Sequence, residues 1–148
     1  MTMRPISVCA VLLALAARPT AECGVAPPTC DASATATLVF YGEVLDSAFI
    51  PNRVTPNEQS TDGRQEVTFN VLRSFKGVET RVFAGTFNSR SEAVFFKPGA
   101  RFLVYASRRN GRLETACSRT KELSKSAESL VLGELAELGR CRQPPIPF

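Results

Sequence analysis

Apolar and polar positions alternate through most of the middle of this 148-residue chain and give way to a helical repeat near its end. Residues 37–46 (TLVFYGEVLD) are dense in β-formers and carry Gly42 near their centre. That pattern predicts a strand with a bend or bulge of the kind that lets a sheet close on itself. In residues 65–75 (QEVTFNVLRSF), Val67, Phe69 and Val71 share one face and Thr68 and Asn70 the other, a half-buried strand. Lys76-Gly77 then marks a turn. Residues 80–87 (TRVFAGTF) read as a third strand, 93–96 as a short apolar piece before a turn at Lys97-Pro98-Gly99, and 101–107 (RFLVYAS) as a strong fourth strand. Asn110-Gly111 is the two-residue hairpin signal, because both positions must take positive φ. Residues 112–117 form the return strand.

Past Cys117 the period changes. Leu123, Ala127, Leu130, Val131, Leu135 and Leu138 recur at helical spacing, and Gly139 follows as the expected C-terminal cap. Gly133 interrupts that helix at a cost of about 1 kcal/mol relative to alanine. The stripe reads as a helix packed on the sheet. A polar face with Glu128, Glu134 and Glu137 argues against a membrane-surface helix. Residues 47–64 hold Pro51, Pro56 and Gly63 without periodicity and read as an irregular loop, either mobile or in contact with a partner. The stretch after Cys141 (RQPPIPF) reads as an extended or disordered tail. Five or six strands with glycine bends and one terminal helix predict a mainly β fold, a five-stranded closed barrel of the oligonucleotide/oligosaccharide-binding (OB) kind.

The first residues stand apart from this pattern. Arg4 precedes an apolar run over 6–17, and small residues lead to Ala21, which together read as a secretory signal peptide. Cleavage is expected after Ala21, with Ala17 as the alternative. The run is too short to span a bilayer, and Glu22 stands where a lipid-attachment pattern needs a small residue. The expected division is therefore a signal at 1–21, one domain at 22–141 and the tail at 142–148. About 130 mature residues suffice for a single domain with its own core. Removing Arg4 and Arg18 lowers the formal charge of +4 by two, which is too weak to argue for nucleic acid as a partner.

Cys9 leaves with the signal. The four remaining cysteines, Cys23, Cys30, Cys117 and Cys141, lie in two pairs at the two ends of the mature chain. An even number in an oxidising compartment predicts two disulfides stapling both termini to one barrel, although the sequence alone allows three connectivities. Secretion, extracellular or periplasmic, follows from the same reading. No short Cys-x-x-Cys pair occurs and the chain has no histidine, so neither a zinc site nor a histidine base is expected. No nucleophile elbow or phosphate loop occurs. The expectation is a protein that is not an enzyme, takes no cofactor or metal and crosses no membrane.

Five pieces, taken in order, resemble the netrin-like module, and within it the tissue inhibitors of metalloproteinases and their bacterial relatives. They are Cys23 followed by Pro27-Pro28; residues 38–44 (LVFYGEV); residues 71–77 (VLRSFKG); residues 98–106 (PGARFLVYA); and Gly111-Arg112-Leu113 leading to residues 115–120 (TACSRT). The resemblance runs from Cys23 to Cys141. It implies a closed five-stranded barrel flanked by helices, with Cys23 bonded to Cys117 and Cys30 to Cys141. The family's first cysteine falls at Ala21 and its partner near Glu92, and both are absent here. Joint loss of two positions that would bond each other is what this mapping predicts.

In the animal inhibitors the resemblance points to, the mature first residue offers its free α-amine and a carbonyl to the zinc of a metalloendopeptidase. By that analogy the inhibitory ridge comprises Glu22, Cys23, Gly24, Val25, Glu92 and Ala93, with Glu22 at the new terminus. An α-amine is substantially neutral near pH 8 and so available as a ligand. The alternative is a non-inhibitory module that binds another extracellular protein or an acidic glycan. For the glycan the candidate patch is Arg108, Arg109 and Arg112 at the hairpin tip, with Arg119, Lys121 and Lys125 following.

Overall fold

The computed structural model describes residues 23–90 and 93–141; the expected signal, Glu22, Glu92 and the tail lie outside the described residues. In chain order the elements are α1 (Thr29–Thr35), β1 (Leu38–Pro51), β2 (Val54–Thr55), β3 (Glu58–Gln59), β4 (Gly63–Lys76), β5 (Val82–Ser89), β6 (Arg101–Arg109), β7 (Arg112–Glu114), β8 (Lys121–Glu122) and α2 (Glu128–Leu138). β1 pairs antiparallel with β4 on one side and β6 on the other, β4 pairs with β5, and β6 with β7. β5 meets β7 in parallel at Phe87 and Leu113. The circuit β1–β4–β5–β7–β6–β1 is a closed five-stranded barrel, and β8 adds to β6 from outside.

The β1–β4 pairing is irregular at three places, Val39/Phe40, Tyr41/Gly42 and Val44/Asp46, and Gly42 sits at the middle one. A Cβ at Gly42 would lie 2.9 Å from the Asn70 carbonyl oxygen. Asn110 and Gly111 take φ of 52° and 75°, the positive values a tight hairpin demands.

The alternation along β4 places Val67 and Phe69 inside the barrel with Phe40, Phe87, Phe102 and Leu113. Phe96 joins them from the connection between β5 and β6. Its ring centroid lies 5.2 Å from Phe69, 4.8 Å from Phe87 and 4.9 Å from Phe102. Edge-on or tilted packing of this sort suits the ring quadrupoles. β6 is buried on both faces: Phe102, Val104 and Ala106 point inward, while Leu103 and Tyr105 point outward beneath a second apolar layer. That layer joins Ala32 and Ala36 of α1 to Val131, Leu135 and Leu138 of α2.

Both disulfides are present as the resemblance implies, Cys23–Cys117 with Cα atoms 5.0 Å apart and Cys30–Cys141 with 5.4 Å. Their sequence separations are 94 and 111. Chain entropy therefore distinguishes the two bonds by only about 0.1–0.2 kcal/mol; local structure must decide how they differ.

Several sequence expectations are corrected. Much of residues 47–64 is not irregular: β1 runs on to Pro51 and β4 starts at Gly63, so the two strands stay paired out to Pro51–Gly63. Pro51 ends its strand, where a missing N–H disrupts no further ladder. Only the tip turns irregular, around the small β2–β3 hairpin. The return strand ends at Glu114, and the chain then turns, with Cys117 at φ of 56°. The helix starts at Glu128, so Leu123 precedes it, and Leu130 is 70% exposed and not part of the buried stripe. Gly139 is right-handed (φ −62°); its N–H bonds to the Leu135 carbonyl and it forms no left-handed cap. α1 has no counterpart in the hydrophobic pattern, although the resemblance implies flanking helices.

Candidate functional site

Residues 23–28 are exposed and belong to no helix or strand. Three features anchor this strip to the barrel. Cys23 is bonded to Cys117, the Arg119 guanidinium donates through Nη1 to the Pro27 carbonyl (3.1 Å), and Pro28 opens α1, where the buried Thr29 hydroxyl donates to Glu137 Oε2 (3.2 Å). Gly24 and Val25 are left on the outside, and Val25 is fully exposed.

A second strip reaches the same turn. Glu114, at the end of β7, accepts from the Ala116 N–H (3.0 Å), the Asn88 amide (3.3 Å) and Arg90 Nη2 (2.9 Å). The Val94 N–H donates to the Thr115 hydroxyl (3.2 Å). Phe96 is held by Gln65, whose side chain is wholly buried. Gln65 Nε2 donates to the Phe96 carbonyl (3.1 Å) and the Ser47 hydroxyl (2.9 Å), while its Oε1 accepts from the Phe96 N–H (3.0 Å). The side chain thus replaces a missing strand partner, leaving Phe95 (52% exposed) outside and Phe96 in the core.

The two strips converge on residues 114–119. Of the expected ridge, the structure brings Cys23, Gly24, Val25 and the half-buried Ala93 to this one region. Changing Gln65 to Ala should cost about 1–3 kcal/mol in urea unfolding, because it strands a buried N–H and C=O at Phe96. A loss under 0.5 kcal/mol would contradict the role given to it.

The expected arginine patch is divided. Arg109 and Arg112 are cross-strand partners on the outer face, whereas Arg108 pairs with the inward-facing Leu113. Arg112 Nη1 donates to Asn88 Oδ1 at 3.5 Å. Arg119 and Lys121, expected among the solvated basic residues, both face the Glu134 carboxylate. Arg119 Nε donates to Glu134 Oε1 (2.7 Å), Lys121 Nζ contacts Oε2, and the Tyr105 hydroxyl donates to Oε1 (2.8 Å).

Glu134 itself is buried and not on the polar face of α2. Burial pushes its carboxyl up, but the hydrogen bonds from Arg119, Lys121 and Tyr105 outweigh that and hold it below the ordinary carboxylate value. Burial and the neighbouring carboxylate push the Tyr105 hydroxyl far up, so it stays a protonated donor. The bond to Glu134 raises Arg119 further. One signal was legible in the sequence: Glu134 falls within the Val131–Leu135–Leu138 stripe.

The concavities are small. A crevice of about 170 Å³ lies between Pro27, α1 and the Glu114–Arg119 turn, below the size that takes drug-like ligands. An open depression of about 340 Å³ on the outer face of β1, β4 and β5 is lined by small side chains with Asp46 and Glu66. Among the described residues, no group of three or more His, Cys, Asp or Glu could hold a metal, and no helix is long and apolar enough to cross a membrane. Compared with models of protein families and with curated proteins, the chain matches none.

Proposed function

We propose that this is a secreted module of the netrin-like kind that binds an extracellular protein through its N-terminal ridge, with a metalloendopeptidase as the partner class. The observation that carries this reading is the strip 23–28: wholly exposed, yet fixed at Cys23 and Pro27 to the same 115–119 turn that holds Val94. An exposed backbone that is held in place can enter a partner's cleft with little further loss of conformational freedom, which favours affinity. Val25 and Phe95 supply apolar side chains for that contact. With cleavage after Ala21, the Glu22 α-amine stands one residue ahead of the anchored Cys23, and an amine with its neighbouring carbonyl can fill the open position of a catalytic zinc.

The glycan reading receives less support. Arg108 is separated from Arg109 and Arg112, and Arg119 and Lys121 are already engaged by Glu134.

The test is inhibition of a panel of zinc metalloendopeptidases by the secreted protein, its first residue located by intact mass. Inhibition of at least one protease is expected, weakened at least tenfold by acetylating the α-amine and by V25E. Inhibition that survives acetylation would remove zinc chelation. Absence of binding to any protease of the panel would remove the partner class.

A further inference from the structure

The two disulfides close loops of similar length but sit in different surroundings. Cys30 lies within α1, and Cys141 packs against the apolar layer shared by α1 and α2. Cys23 and Cys117 are both exposed, whereas in the other bond Cys30 is exposed and Cys141 half-buried; the sharper difference is the backbone, since Cys117 sits at φ of 56°. Asn110 is the only other non-glycine residue at positive φ among the described residues, and it occupies a hairpin tip suited to asparagine. Exposed or strained disulfides are the ones that exchange readily with thiols.

We propose that Cys23–Cys117 is a thiol-exchange site, open to a dithiol reductant while the rest of the fold stands. A thiolate of the dithiol attacks the Cys23 sulfur, forms a mixed disulfide and expels the Cys117 sulfur as a thiolate, which takes a proton from solvent. The second thiolate of the reagent then displaces Cys23. Two electrons pass from the dithiol to the bond, leaving two cysteine thiols and the cyclic oxidised reagent.

The consequences are local. The turn bearing Cys117 has its own supports: the Ser118 N–H and hydroxyl both bond to the Thr115 carbonyl (3.2 and 2.7 Å), and Glu114 holds the Ala116 N–H. From Pro27 onward the chain stays attached through Arg119, the Thr29–Glu137 bond and Cys30–Cys141. Among the described residues, 23–26 make no such attachment other than the disulfide. Opening it converts a fixed strip into a free one. That this would abolish partner binding rests on the ridge reading above; the exchange chemistry does not.

The oxidised protein is equilibrated with increasing dithiothreitol, trapped with iodoacetamide and mapped by peptide mass, with far-UV circular dichroism in parallel. Cys23 and Cys117 should be labelled at a dithiothreitol concentration at least tenfold below that needed for Cys30 and Cys141, with the spectrum unchanged. The C23S/C117S variant should show no labelling in that lower range. Opening of Cys30–Cys141 first, or of both bonds together, overturns the proposal, as does loss of the spectrum when Cys23 is labelled. If labelling is selective but the protein inhibits no metalloendopeptidase in either state, the exchange site stands and the ridge reading falls.

Discussion

A chain carrying C30S and C141S is expected to lose about 3–5 kcal/mol of unfolding free energy, read as a lower urea midpoint with a steeper slope, because the unlinked unfolded chain is less compact. The sequence separation of 111 sets the scale, since linking such distant residues removes many conformations from the unfolded chain. The folded state gives this bond a second reason to matter. α1 has seven residues and no side-chain N-cap, too short to persist alone. It is held by Ala32 and Ala36 in the outer apolar layer and by Lys76, whose ammonium donates to the Ser33 (3.0 Å) and Ala34 (2.9 Å) carbonyls of its last turn. Removing Cys30–Cys141 leaves α1 and the end of α2 with these contacts alone. The C23S/C117S variant opens a loop of nearly the same length yet should lose about 1–2 kcal/mol less, because residue 117, freed of the bond, can leave the left-handed conformation it holds in the folded state. Equal losses for the two variants, or a loss under 1 kcal/mol for C30S/C141S, would show that chain entropy and local geometry have been wrongly weighed.

The barrel was legible because its strands alternate: Val67 and Phe69 face inward where period two places them, and Asn110-Gly111 turns as its dipeptide demands. The disulfides became legible only through the family resemblance, since four cysteines fix no pairing. What escaped the sequence was held by long-range partners. Residues 47–51 and 63–64 are strand because they pair with each other, which no local period announces. α1 depends on Lys76 and Cys141, at least 40 residues away in sequence. The same holds at the site. Cys23, Gly24 and Val25 enter the candidate ridge only through the resemblance, and the residues that fix the second strip, Gln65 and Glu114, looked like ordinary polar positions of a strand. Glu134 was misplaced for a related reason: a carboxylate in an apolar stripe is sensible only when Arg119, Lys121 and Tyr105 arrive from other elements.

Replacing Glu134 with alanine is expected to cost about 3–5 kcal/mol, since breaking a buried ion pair strands the charges left behind. The side chains of Arg119 and Lys121 keep 22% and 32% exposure, so water recovers part of their solvation and the loss belongs toward the lower end. Because Arg119 also holds the Pro27 carbonyl, the variant should loosen the N-terminal strip as well. Acid should reproduce part of the effect. The Glu134 carboxyl is held below its unfolded value, so its contribution is complete above about pH 4.5 and is lost as pH falls through the lower folded value. The parent protein should therefore lose more stability than Glu134→Gln between pH 5 and pH 3, in urea titrations at matched salt. Equal acid sensitivity in the two would remove Glu134 as the responsible group. Attraction within the cluster and the penalty of an orphaned charge are separated by replacing all three members together. Glu134→Leu with Arg119→Met and Lys121→Met leaves no charge behind, and buried ion clusters replaced by apolar groups of similar size are often stability-neutral. The triple variant should regain most of what the single alanine loses. Its remaining deficit would measure the Tyr105 hydroxyl left without an acceptor and the Pro27 carbonyl left without Arg119.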